Sequence, residues 1–122
     1  MTQPPARCRV LFIEDELALR ISYERYFRSR YTMAFAPTGA EALSQLQKAS
    51  FDVVVLDMRL PDTDGVDLLR RIAGTLPGLP VIITTAYASV EPQLRVLDLP
   101  HADYLVKPFD LDDLAAAIDR AG

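Results

Sequence analysis

Apolar runs alternate with helix-period stretches along the whole chain. "CRVLFI" (8–13), "FDVVVL" (51–56) and "PVIITTA" (80–86) are short and apolar on both faces, the pattern of buried parallel strands. "TMAFA" (32–36) and "ADYLVK" (102–107) read as two further strands. Between them, "DELALRISYERYFRS" (15–29) sets Leu17, Ile21, Tyr23 or Glu24, Tyr26 and Phe27 near helical spacing and predicts an amphipathic helix. Thr38, with Glu41 three residues on, forms a capping box for a helix over 38–48 that buries Ala42, Leu43 and Leu46. Gly65 opens a helix through Leu68, Leu69 and Ile72 that ends near Gly74. A weaker helix is predicted over 89–98, with Pro92 in its first turn. "DLDDLAAAIDR" (110–120) closes the chain as a helix with acids at its start.

Five strands and five helices in strict alternation predict a doubly wound α/β sheet with helices on both faces. One domain over 9–121 accounts for every element, after a flexible lead-in over 1–8. Composition agrees: half the residues are apolar and a quarter charged, as in globular domains. No apolar run approaches the roughly 18–20 residues of a membrane span, and "MTQPPARC" lacks the apolar core of a signal peptide. The formal net charge of −4 argues against direct nucleic-acid binding, which wants a basic face. A single cysteine, Cys8, builds no disulfide framework and fits a cytoplasmic setting. The one histidine, His101, leaves no zinc-type cluster and reads as a surface residue.

The informative chemistry lies where the strands end. In open α/β sheets, ligands bind at the carboxyl ends of the strands. The first strand ends in Glu14 and Asp15, with Glu16 behind; the third ends in Asp57, the fourth in Thr84 and Thr85, and the fifth in Lys107 before Pro108. If the strand order is 2-1-3-4-5, the first and third strands are neighbours and three carboxylates share one crevice. Such a cluster repels itself and persists when a cation neutralises it. Oxygen ligands without histidine or cysteine favour a hard ion, magnesium or manganese. Glu14, Asp15 and Glu16 also suit a helix start, Asp62 and Asp64 read as solvated turn residues, and Thr84 reads as buried core.

Four pieces in this order, "FIEDE" (12–16), "VVLDMRLPDTDG" (54–65), "VIITTAY" (81–87) and "DYLVKPF" (103–109), resemble the receiver domain of two-component response regulators from Arg9 to Ala121. The resemblance implies a flavodoxin-like (βα)5 sheet in the order 2-1-3-4-5. It implies that Asp57 takes a phosphoryl group from a phosphohistidine on a sensor histidine kinase or phosphotransfer protein. It assigns magnesium (or manganese) to Glu14, Asp15, Asp57 and the backbone carbonyl of Arg59. Lys107 would pair first with Asp57 and later with the phosphoryl oxygens, across a Lys107–Pro108 bond that is cis in the family. Thr85 and Tyr104 correspond to the switch pair, which changes the face of the fourth helix, fifth strand and fifth helix; Tyr104 is otherwise plain core. Arg59 and Tyr87 hold the positions that tune the lifetime of the acyl phosphate.

The chain departs from the family at Pro100-His101, where many relatives carry Gly-Ala, and at Ala117, where one class of DNA-binding regulators carries a dimer-supporting arginine. That particular dimer is not expected; a homodimer of another kind on phosphorylation stays open, as does a C-terminal output domain in a longer chain. The resemblance implies a signalling domain that catalyses only its own phosphorylation and dephosphorylation. Two alternatives differ in class. An aspartate-nucleophile phosphatase needs a second aspartate two residues after the nucleophile, where Arg59 stands. A phosphorylation-dead interaction module would not need the full set Glu14, Asp15, Asp57, Thr85 and Lys107.

Overall fold

The computed structural model describes residues 7–87 and 100–122. The elements are β1 (Arg9–Ile13), α1 (Leu17–Phe27), β2 (Thr32–Ala36), α2 (Gly39–Lys48), β3 (Val53–Asp57), α3 (Gly65–Thr75), β4 (Val81–Thr85), β5 (Asp103–Val106) and α4 (Leu111–Ala121). The helix expected over 89–98, with Pro92, and residues 1–6 of the expected lead-in lie outside the described residues. The five strands form one parallel sheet in the order β2-β1-β3-β4-β5, as the resemblance implies.

Alternation along each strand divides the core in two. Val10 and Phe12 of β1, Val53 and Val55 of β3 and Ile82 of β4 pack with Tyr23 and Phe27 of α1 and with Leu114, Ala117 and Ile118 of α4. Leu11, Ile13, Val54, Leu56, Val81 and Ile83 point the other way and pack with Ala42 of α2 and Leu68, Leu69 and Ile72 of α3. Both faces of the central strands are covered, which is why they carry no polar residue before their ends. Ala117 faces this core and is wholly buried.

The face that α1 buries differs from the pattern expected of it. Tyr23 and Phe27 are buried, while Leu17, Ile21 and Tyr26 are 60%, 43% and 39% exposed. Apolar residues lie all round this helix, so periodicity alone does not choose its inner face. Tyr23 and Phe27, spaced i, i+4, stack against Phe12; Ile21 lies about 200° round the helix from Tyr23 and points outward.

Helix starts rest on side chains. Thr38 Oγ1 accepts from Glu41 N at 3.1 Å, and Asp64 Oδ1 accepts from Val66 N at 2.8 Å. The carboxylate of Asp62, from the loop after β3, accepts from Gly39 N at 2.8 Å and Ala40 N at 3.0 Å. Asp62 is exposed, as a turn residue should be, yet it ties that loop to the start of α2. These two backbone bonds hold its carboxyl below the ordinary range. Gly65 is required for close approach rather than for a special backbone angle: a Cβ there would meet Met58 Cα at 2.5 Å and Met58 O at 2.7 Å, and its φ is not positive. The Gly65 N–H donates to Met58 O at 3.2 Å. The Lys107–Pro108 bond is cis.

Candidate functional site

The division of the core decides which side chains meet at the mouth of the sheet. Phe12, Val55 and Leu105 belong to the α1/α4 side. Two residues further along each strand direction come Glu14, Asp57 and Lys107, so the period of two sends all three to that same side. Glu14 and Asp57 are buried although both are acidic residues. Carboxylate oxygens of Glu14, Asp15 and Asp57 all lie within 4.8 Å of one another, with Asp15 at the exposed edge.

Lys107 closes the group. Its Nζ donates to Glu14 Oε1 at 2.8 Å and lies 3.4 Å from Asp57 Oδ2. It therefore contacts both acids, the shorter contact being to Glu14. Asp57 Oδ1 accepts from Arg59 N at 3.2 Å, and Glu14 Oε2 accepts from Glu16 N at 3.3 Å. The Arg20 guanidinium holds the Glu14 backbone carbonyl at 2.9 Å. Burial first, and then the neighbouring Asp57 carboxyl, push the Glu14 pKa up to about 7, with Lys107 offsetting part of the rise. Burial on its own would lower the Lys107 pKa; the bond to Glu14 and the charge of Asp57 outweigh it and raise it.

Three carboxyls and one ammonium leave the pocket with excess negative charge, and Glu14 relieves this by taking a proton near neutral pH. A divalent cation can replace that proton. The donors are all hard oxygens, and a magnesium-type ion prefers such donors while keeping some of its water. The residues present fit such an ion.

The residues read as switch and tuning positions meet around Tyr87. Thr84 pairs with Asp57 across β3 and β4, and Thr85 is one position further on, level with Val106. Both threonines are buried. Thr85 Oγ1 accepts from Tyr87 N at 3.2 Å, which leaves the hydroxyl proton as a donor. The Tyr104 hydroxyl donates to Tyr87 O at 2.6 Å. The Arg59 guanidinium donates to the Tyr87 hydroxyl at 3.1 Å and lies 5.9 Å from the ring centroid. Tyr87 is 52% exposed and Arg59 is exposed too, so neither side chain is enclosed with the buried acids.

Four of these connections escape a sequence reading. The tie from Asp62 to α2 has a faint signal: Thr38 serves only Glu41 N, so the first amides of α2 need another acceptor. The bonds that join Tyr87 to Arg59 and Tyr104 have no local signal, because Arg59 follows β3, Tyr87 follows β4 and Tyr104 belongs to β5. The bond from Lys107 to Glu14 depends on how far β1 and β5 lie apart across the sheet.

A family model described as a response regulator receiver domain matches residues 10–119. The transcriptional regulatory protein ZraR of Escherichia coli (strain K12) is 35% identical over 113 residues, 92% of this chain and 26% of its own length. The chain thus spans about a quarter of that curated relative. Among solved structures, a response regulator receiver domain protein (CheY-like) from Methanospirillum hungatei JF-1 superposes with a TM-score of 0.85 at 29% identity, covering 94% of this chain and 93% of that one. The response regulator protein TrrA from Thermotoga maritima, solved in complex with Mg2+-BeF, superposes with a TM-score of 0.83 at 26% identity, covering 94% of this chain and 99% of its own. Among the described residues, no helix is long and apolar enough to cross a membrane.

Proposed function

The chain belongs to the response regulator receiver domain family, and we propose that it is a phosphorylation-controlled switch whose phosphoacceptor is Asp57. The observation that carries this reading is the meeting of Glu14, Asp15 and Asp57 within 4.8 Å, with the Lys107 ammonium on two of them. The donor is a phosphohistidine on a sensor kinase or phosphotransfer protein. Exposed Leu17 and Ile21 on α1, just beyond Glu14 and Asp15, offer such a partner an apolar footing beside the pocket.

Glu14, Asp15, Asp57 and the Arg59 carbonyl would hold magnesium, and manganese would satisfy the same donors. When bound, the ion supplies charge stabilisation for the transferring phosphoryl oxygens. The relative solved with Mg2+-BeF supports this choice. A carboxylate oxygen of Asp57 attacks phosphorus, the P–N bond to histidine breaks, and an acyl phosphate forms. Lys107 holds a positive charge at the pocket and exchanges its contact with Asp57 for one with the phosphoryl group. Burial of Asp57 keeps the nucleophile in one place.

The Thr85 hydroxyl then has a new acceptor. As it turns toward the phosphoryl oxygens, its bond from Tyr87 N changes, and with it the bond from Tyr104 to Tyr87 O. That couples the pocket to the face of β5 and α4, which passes the signal to an output domain in a longer chain or to a second copy. Phosphorylation shifts this equilibrium only by the difference in its affinity for the two states. Arg59 and Tyr87, joined by a hydrogen bond, hinder the water that hydrolyses the acyl phosphate. The only reactions the domain catalyses are its own phosphorylation and dephosphorylation.

The test is incubation with magnesium and acetyl phosphate, read by intact mass. A gain of one phosphoryl group that disappears in Asp57→Asn is expected. Rapid release of phosphate from simple esters would instead favour a phosphatase, and an unmodified protein would leave only an interaction module.

A further inference from the structure

Among the described residues, one buried side-chain polar atom has no hydrogen-bond partner, the hydroxyl of Tyr23. The other buried tyrosine of that layer is satisfied: the Tyr31 hydroxyl donates to Asp119 Oδ1 at 2.6 Å and lies 3.3 Å from Ala115 O. If filling space were the whole task, phenylalanine would serve at position 23, as it does at Phe12, Phe27 and Phe35 in the same aromatic layer. Leaving a buried hydroxyl unpaired is costly.

The ring packs on the same side of the sheet as the pocket. α1 begins at the mouth of the sheet and runs away from it, and helical side chains lean toward their own N-terminus. Tyr23 stacks on Phe12 with centroids 5.0 Å apart and planes 29° from parallel. Phe12 and Glu14 project to the same side of β1, as Val55 and Asp57 do on β3. The tip of the ring therefore rises beneath the two buried carboxylates. Burial, followed by the charges of Glu14, Asp57 and Glu16, raises the pKa of this phenol, so it remains a proton donor.

We propose that Tyr23 is a positioning residue of the phosphoacceptor pocket, whose hydroxyl donates through one enclosed water to the Glu14 and Asp57 carboxylates and steadies them from below. A neutral O–H dipole brings partial positive charge to an acidic cluster without the desolvation cost of a second buried cation. The proposal rests on reading the pocket as a divalent-ion and phosphoryl site.

Tyr23→Phe tests it. Groups that orient metal ligands typically weaken metal binding when removed, so Mg2+ affinity by calorimetry should fall roughly tenfold, with a slower reaction with acetyl phosphate and no gain in thermal stability. A Tyr23→Phe protein that is more thermostable and keeps wild-type Mg2+ affinity overturns the proposal. A second measurement uses the metal-free protein with its hydroxyl intact. The Tyr23 ring Cζ resonance, followed by NMR, should move on Glu14→Gln and stay in place on Asp103→Asn; a resonance indifferent to Glu14→Gln overturns the proposal even if Tyr23→Phe does not fold. Should the wild type bind no Mg2+ while the resonance still follows Glu14, the ion-site reading fails and the link between hydroxyl and carboxylate stands.

Discussion

Replacing Gly65 with alanine adds one methyl group where two stretches of backbone already touch. The new Cβ would lie 2.5 Å from Met58 Cα, 2.7 Å from its carbonyl oxygen and 2.9 Å from its carbonyl carbon. Carbon atoms pack at about 3.5–4.0 Å, so the start of α3 and the end of β3 must part by about 1 Å. Neither partner is a flexible side chain, and the Gly65 N to Met58 O bond holds them together. Overpacking of this kind costs about 1–3 kcal/mol. The gain in helix propensity is at most about 1 kcal/mol and belongs to helix interiors, not to a first residue. Gly65→Ala should therefore destabilise the domain by about 1–3 kcal/mol. Gly74, in the same 11-residue helix, is the control, since a Cβ there meets nothing within 4 Å. Gly74→Ala should stabilise by about 0.4–1 kcal/mol. Urea unfolding followed by far-UV circular dichroism measures both, with the change read from the midpoint at constant slope. Propensity alone predicts the same sign for the two variants. Two stabilised proteins would refute the close-approach reasoning.

Glu14 makes stability depend on pH. Its folded pKa of about 7 lies above the ordinary 4.5, so the metal-free folded state keeps a proton that the unfolded chain releases, and stability falls as pH rises across that window. Urea midpoints of chelator-treated protein should drop between about pH 5 and 7.5, and MgCl2 should restore more stability at the upper end than at the lower; a flat metal-free profile would contradict this. Arg59→Ala and Tyr87→Ala should each shorten the acyl-phosphate lifetime, measured by loss of the added mass. Because the two side chains act as one cover, the double variant should decay no faster than the faster single variant, and additive acceleration would show that they work separately. Asp62→Ala removes two acceptors from the start of α2 and should lower the unfolding midpoint at neutral pH. The folded carboxyl of Asp62 is held below its ordinary 3.8, so its contribution is present above that value and lost as pH falls; the gap between variant and wild type should narrow in acid.

Strand positions were legible because a parallel strand covered on both faces has few alternatives: "VVVL" running into Asp57 can hardly be anything else. The acids at the strand ends were legible for the same reason, since the end of the apolar run marks the mouth of the sheet. The inner face of α1 was not. Leu17, Ile21, Tyr23 and Phe27 are all apolar, and only contact with Phe12 selects Tyr23 and Phe27. Asp62 already has a local explanation as a turn residue, which hides its tie to Gly39 and Ala40. Gly65 was legible as the opening of a helix, but the need for glycine there comes from the backbone of Met58, brought close by the return of the chain, rather than from its own dihedral angles. Tyr87 stands apart from any periodic element, so nothing near it in sequence announces Arg59 and Tyr104 as its partners.

The sidedness of the pocket follows from the core beneath it. Glu14, Asp57 and Lys107 share one side because Phe12, Val55 and Leu105 do. A slip of one residue in any of these strands would turn its terminal group to the α2/α3 side while leaving an equally apolar run within the sheet. What prevents the slip is packing: the aromatic layer of Phe12, Tyr23, Phe27 and Phe35 fits one side only, and smaller Leu11, Ile13, Val54 and Leu56 fit the other. The apolar residues thus set the geometry of the charged ones. Once that register is set, burial makes the cluster unfavourable without a counter-charge. Lys107 supplies part of it, Glu14 supplies more by holding a proton, and the rest is the demand that a divalent ion meets. The same packing that holds the strands in line therefore makes the pocket responsive to an ion and, through Thr85 and Tyr87, able to report a phosphoryl group.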